Sequence, residues 1–200
     1  EALKIQHLQV ARELGIPDRF LRQAVGRTRD VDGDEISHAT LVALERKGRP
    51  TFLLNPNGCS WQEMPRAVRE YLSEGERVGL PKQPLIATRR PWYRMEERVI
   101  PPFLFAYLGR RNVRFIRNTA GIVPLTAFLC VYPRSDDPRD HEKLWRILQH
   151  PETIANLRFV GKSYGSGAIK VEPRALERLP ISAELVDGIA PEPIAHTSLL

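Results

Sequence analysis

Between Thr88 and Asn118 stand eight arginines, Arg89, Arg90, Arg94, Arg98, Arg110, Arg111, Arg114 and Arg117, opposed only by Glu96 and Glu97. Trp92, Tyr93, Phe103, Phe105, Tyr107 and Phe115 lie among them. A guanidinium is a planar fork of donors that matches phosphate oxygens and guanine edges bidentately and also stacks on flat surfaces, so this mixture suits nucleic acid. A plainer account makes the rings core and the arginines solvated outer faces. It explains only part of the pattern. On a strand over 113–118, Val113, Phe115 and Arg117 share one face while Arg114, Ile116 and Asn118 share the other, so both faces mix polar and apolar groups. At least one arginine must then sit at a strand end or on a surface that is not simply solvent.

Other chemistry is weaker. Gly161-Lys162-Ser163 resembles the end of a phosphate-binding P-loop, but that loop needs a glycine five positions before its final Gly-Lys, and residue 156 is Asn. Nucleotide hydrolysis is thereby excluded. The run Gly161 to Gly167 still reads as a glycine-rich loop whose amides, with Lys162 and Tyr164, can follow a sugar-phosphate backbone. No strand–glycine turn–helix fingerprint for a dinucleotide or methyl donor is present. Leu54-Asn55-Pro56-Asn57 lacks the second proline and the aromatic of an Asn-Pro-Pro-Tyr tetrad and reads as a turn. His7, His38, His141, His150 and His196 have no metal-ligand spacing, and Cys59 and Cys130 form neither a disulfide framework nor a zinc knuckle. Glu96 and Glu97 would point to opposite faces of a strand, and Asp136, Asp137 and Asp140 suit helix capping.

The 200 residues carry a net charge of +6 and a pI near 9.6, which favours anionic partners without specifying a fold. The longest uncharged stretch, 119–133, is too short for a bilayer and is interrupted by Pro124, and the start has no signal-peptide pattern. A cytoplasmic protein is expected. Because residue 1 is Glu, an excised part of a longer polypeptide is also expected.

These residues have to be held by short elements, and the expected class is α+β, short antiparallel strands and hairpins packed with several short helices. Pro17 is placed to open a helix, Ser37 to cap one with Leu41, Val42 and Leu44 inward and Gly48 as its stop, and Pro65 to start a third that ends at Gly75. Thr51 to Leu54 reads as a strand. From Leu85 the pattern turns to β: Phe103 to Leu108 and Val113 to Ile116 form a hairpin whose tip, Gly109-Arg110-Arg111-Asn112, presents two arginines. Ile122 to Tyr132 supplies another strand region. Asp137-Pro138 starts a helix burying Leu144, Trp145, Ile147 and Leu148, a short helix follows through Ile154 and Leu157, and Ala168 to Val171 is a strand. The expected domains are a mainly helical entry over 1–80, an α+β unit over 81–182, and a loosely packed tail over 183–200.

Taken in order, Trp92-Tyr93 after basic residues, Arg117-Asn118 at a strand end, Leu148-Gln149-His150 at a helix end, Tyr164 to Gly167, Lys170, Glu172-Pro173 and Leu179-Pro180 make a further pattern. Over residues 85–181 this order resembles the C-terminal target-recognition region of adenine-specific DNA methyltransferases of bacterial restriction-modification systems. The resemblance implies a domain that reads a duplex DNA sequence and is linked in one polypeptide to a catalytic domain using S-adenosylmethionine. The family's methyl-transfer motifs lie upstream of this region and are absent here, so no catalytic residue and no cofactor is expected in this chain. The candidate DNA contacts are Arg89, Arg90, Trp92, Tyr93, Arg94, Arg110, Arg111, Arg114, Arg117, Asn118, Lys162, Tyr164 and Lys170. A nuclease domain and a protein-binding structural domain are the alternatives.

Overall fold

The computed structural model describes residues 4–5, 8–97, 99–109, 113–164 and 168–189. Strand β1 (Lys4–Ile5) and helix α1 (Leu8–Glu13) lead to a short 3-10 turn over Asp18–Phe20 and strand β2 (Leu21–Val25). Helix α2 (His38–Arg46), strand β3 (Phe52–Leu54), helix α3 (Arg66–Arg77) and the single turn α4 (Pro84–Ala87) complete the first half. Strands β4 (Phe103–Ala106), β5 (Leu108–Gly109), β6 (Arg114–Arg117), β7 (Val123–Pro124) and β8 (Leu129–Val131) then precede helices α5 (Pro138–Gln149) and α6 (Pro151–Val160). The ribbon β9 (Gly161–Tyr164) and β10 (Ala168–Val171) and the short helices α7 (Pro173–Leu176) and α8 (Ala183–Gly188) follow. The class is α+β, as the patterning implied. Among the described residues no helix is long and apolar enough to cross a membrane.

The strands form three small sheets, ordered β1-β3-β2-β7, β6-β4-β8 and β5-β10-β9. The middle one organises the molecule. In β4 and β6, alternation sends Leu104, Ala106 and Ile116 into a core with Val25, Ile36, Leu41 and Leu44. It sends Phe103, Phe105 and Phe115 into a second core with Leu148, Leu157 and Val171. Both faces of the sheet are therefore covered, which is why Phe103 to Ala106 reads as an unbroken apolar run. A further core joins Ala11, Ile16, Phe20 and Leu54 to Val68 and Leu72 of α3. Residues on either side of position 80 share packing, since α2 covers β4 and β6 and β2 pairs in parallel with β7.

Local signals explain many boundaries. Ser37 caps α2 in a reciprocal box with Thr40, and Gly48 takes a left-handed φ of 65° after it. Asp137 accepts from the Arg139 amide with Pro138 in the first turn of α5. Other expectations are corrected. After Pro17 only the 3-10 turn forms, and Leu21 becomes β2 because it can pair with Leu54. Val42 on α2 is 40% exposed and not inward. Helix α3 runs through Gly75 and stops at Gly79, whose φ is 79°. The hairpin over 103–117 pairs as expected, Phe103 opposite Arg117 and Ala106 opposite Arg114, but Leu108–Gly109 leaves it to pair with Lys170 and Ile169. Gly161–Tyr164, read as the start of a loop, is a strand because its backbone completes the ladder of β10. At the C-terminal side, Ser182 caps α8, whose Leu185 is 9% exposed.

Candidate nucleic-acid interface

The segment 88–97 has almost no regular structure and is held by side chains at both ends of a short loop. Trp92 lies against α3, where a Cβ added at Gly75 would come within 2.8 Å of its ring. Only glycine lets the indole approach this closely. The Trp92 indole N–H donates to Glu76 Oε1 at 2.9 Å, and Tyr93 meets Trp92 edge-on at 5.7 Å between centroids and Trp61 at 6.0 Å. Burial first, then the negative charge of Glu76 and the neighbouring Cys59, pushes the Tyr93 hydroxyl above the usual tyrosine range. Two residues on, Asn57 grips the chain as a strand partner would. Its Nδ2 donates to the Met95 carbonyl at 2.7 Å and its Oδ1 accepts from the Met95 amide at 2.9 Å. The turn Leu54-Asn55-Pro56-Asn57 is thus the anchor of the arginine segment.

Between and beside these anchors, Arg89, Arg90 and Arg94 line one cleft with Met95, Glu96 and Glu97. Arg89 donates to the Arg94 carbonyl at 3.4 Å, and Arg90 donates to the carbonyls of Ala87 and Arg89 at 2.7 and 2.8 Å. A guanidinium carries five N–H donors, so these contacts orient each fork while leaving most of it for a ligand. Trp92 and Tyr93 support the loop from beneath and are half-buried in the α3 core.

The arginines of β6 behave differently. Arg114 reaches across to residues before α2, its Nε donating to the Gly33 carbonyl at 2.7 Å and its Nη2 to the Val31 carbonyl at 2.6 Å. Arg117 pairs with Glu142 of α5 and lies over the Trp145 ring. Asn118, placed among the groove contacts by its position after a strand, is 7% exposed. Its amide donates to the carbonyls of Pro101 and Ile122 and accepts from the Ile122 amide, so it closes a buried turn. Arg110 and Arg111 lie outside the described residues, as does the glycine tip 165–167.

On the third sheet, Lys162 of β9 stands directly opposite Lys170 of β10. Lys170 Nζ is 2.7 Å from Glu172 Oε1. The hydrogen bond and charge of Lys170, with the charge of Lys162 behind them, hold the Glu172 carboxyl below the usual range. The structure therefore gathers the candidate residues into two basic groups, Arg89/Arg90/Arg94 and Lys162/Lys170, and uses Arg114, Arg117 and Asn118 within the fold.

Sequence reasoning missed the roles of Asn57, Gly75 and Glu76, each of which depends on a distant partner, Met95 for Asn57 and Trp92 for the other two, at separations of up to 38 residues. It also passed over a basic stripe on α3. Arg66, Arg69 and Arg77 line one cleft with Trp61 and Ser73, at spacings of three, four and four that lie on one helical face. Arg66 and Arg77 are paired with Glu70 and Glu74 there. Among the described residues no three His, Cys, Asp or Glu side chains gather where they could hold a metal ion.

Compared with known proteins, the chain matches the family described as Type II methyltransferase M.Eco57I, C-terminal domain, over residues 7–197. It is also similar to the Type II methyltransferase M.AccI of Acinetobacter calcoaceticus, with 25% identity over 174 residues. That alignment covers 86% of this chain and 32% of M.AccI, so the chain spans about a third of the length of this relative.

Proposed function

The chain belongs to the family of Type II methyltransferase C-terminal domains typified by M.Eco57I, and from that premise we propose that it positions duplex DNA for a methyl-transferring part of the same polypeptide. The observation that carries the reading is the gathering of Arg89, Arg90 and Arg94 around one cleft, on a loop pinned by Trp92 at one end and Asn57 at the other. The forks of Arg89 and Arg90, oriented by backbone carbonyls, match phosphate oxygens, and a pinned loop lowers the backbone ordering cost of presenting all three arginines.

Lys162 and Lys170 supply a second line of backbone contact, and Arg110 and Arg111, between β5 and β6, are the candidates for reaching base edges. Phosphate contacts of this kind set register, and the sequence is read by the few side chains that enter a groove. The base modified is adenine at N6, in a bacterial restriction-modification system. The parent's catalytic part takes the base out of the stack, and S-adenosylmethionine bound there supplies the methyl group. No residue set in this chain matches a methyl-donor glycine turn or an Asn-Pro-Pro-Tyr tetrad. Its own contribution is to bind and orient the duplex.

The test is a titration of the purified chain with a fluorescent duplex across a series of salt concentrations. Affinity should fall linearly on logarithmic axes, with a slope near −0.9 for each phosphate contacted, so about −3 to −5 for three to five cationic contacts. Affinity that does not change with salt would overturn the reading.

A further inference from the structure

The β9–β10 ribbon sets two like charges face to face. In an antiparallel pair, directly opposite residues on one face hold their Cβ atoms about 5 Å apart, and like charges there are destabilising. Lys162 and Lys170 occupy such a position. The register is held by the rest of the ladder, Tyr164 opposite Ala168 and Val171 opposite Gly161, with Val171 fully buried. A one-residue slip to separate the lysines would turn Val171 out of the core, so the pair is imposed on the ribbon by packing.

Something must neutralise it, and Glu172 does. Its carboxylate bonds Lys170, and Lys162 adds to the field that keeps it ionised. Glu172 is also the residue preceding α7, a position from which a side chain commonly caps the helix, yet it makes no capping bond. Its Oε1 bonds Lys170 instead. Lys162 is exposed, and the side chains of Lys170 and Glu172 are 35% and 44% exposed, so the pair and its counter-ion are open to a ligand.

We propose that the Lys162–Lys170 pair is a seat for a DNA backbone phosphate and that Glu172 occupies that seat in the free protein, acting as an internal competitor. A phosphate bridging both ammonium groups displaces the carboxylate from Lys170 and satisfies two charges where Glu172 bonds one. The competition lowers the affinity of the ribbon for any passing phosphate, so that the ribbon engages firmly only when the arginine cleft is engaged as well. This rests on the reading that the chain binds duplex DNA.

A double-mutant cycle on the full chain, with a fluorescent duplex at fixed salt, tests it. Glu172→Gln should tighten binding about threefold to tenfold, within the range of coupling between close charges at interfaces. Lys162→Met should weaken binding and reduce the salt slope by about one, as the loss of one phosphate contact requires. In a Lys170→Met background the gain from Glu172→Gln should vanish, which a uniform gain from one less negative charge would not do. A Glu172→Gln gain that persists without Lys170, or no gain with binding otherwise salt-dependent, overturns the competitor and leaves the DNA-binding reading standing. If the unaltered chain does not bind duplex at all, both fall together. Thermal melting of each variant separates loss of the seat from loss of the fold, and Glu172→Asp, which keeps the charge on a shorter arm, should bind between the two extremes.

Discussion

Arg94 and Arg114 lie twenty residues apart in the same basic stretch and neighbour similar rings, but their surroundings differ in one respect. Arg114 extends from a paired strand, and within its reach are the Gly33 and Val31 carbonyls, which no helix or ladder uses. Buried or half-buried carbonyls need donors, and a guanidinium supplies several in one plane, so the fold absorbs it. Arg94 sits on a loop whose own backbone is already satisfied by Asn57 and by the turn from Pro91 to Arg94. Its fork is left at the surface. The lesson is that an arginine becomes available to a ligand when the loop that bears it is anchored by other side chains.

That contrast can be broken or sharpened by substitution. The largest effect is expected at Asn118→Ala, which leaves buried carbonyls of Pro101 and Ile122 and the Ile122 amide without partners and should cost about 3 kcal/mol of stability. Chemical denaturation measures it; unchanged stability with weakened DNA binding would return Asn118 to the interface. Arg114→Met should cost about 2 kcal/mol, because two bonds from a charged donor to carbonyls are lost, and DNA affinity measured on the folded fraction should change little.

Gly75→Ala comes next. The added methyl gains about 1 kcal/mol of helix propensity but must push Trp92 away, an overpacking cost of about 1–3 kcal/mol, so a net loss near 1 kcal/mol is expected. DNA binding should weaken as well, although no charge is altered, because the loop carrying Arg94 loses an anchor. A weaker complex with an unchanged salt slope would identify loss of positioning. Arg94→Ala should do the reverse, leaving the melting curve within about 0.5 kcal/mol of the parent while shortening the salt slope by about one.

The smallest effect concerns pH. Tyr93 is held neutral in the fold by burial beside Glu76, so its folded pKa lies above its unfolded value. A raised pKa means that the folded state keeps the proton more tightly, and the stability it contributes is present below the unfolded value and lost as pH rises through the folded one. Phenolate absorbance followed through an alkaline titration should show Tyr93 ionising later than exposed tyrosines, and Glu76→Gln should bring it earlier.

How much of this was legible beforehand varied with the reach of each interaction. The caps at Ser37 and Asp137 and the alternation in β6 involve residues within a turn or a strand of each other, and sequence patterning described them correctly. Strand β2 was not legible, because Pro17 signals a helix start and Leu21 to Val25 has no pattern strong enough to oppose it; pairing with β3 and β7 decides the matter. Strand β9 was hidden for the opposite reason. Its glycines invite a loop reading, and only the unsatisfied edge of β10 draws Gly161 to Tyr164 into the sheet.

For the site the division is sharper. Composition and local order were enough to establish an α+β chain rich in arginine and its kinship with methyltransferase C-terminal domains, and to nominate a stretch in which to seek binding residues, since all of these depend on residue type and near-neighbour spacing. Which arginines remain at the surface depended on distant backbone groups: the carbonyls of residues 31 and 33 for Arg114, Glu142 for Arg117, and Asn57 for the loop of Arg94. The facing lysines of the β9–β10 ribbon belong to the same kind. Neither charge could be seen to oppose the other until the burial of Val171 had set the register.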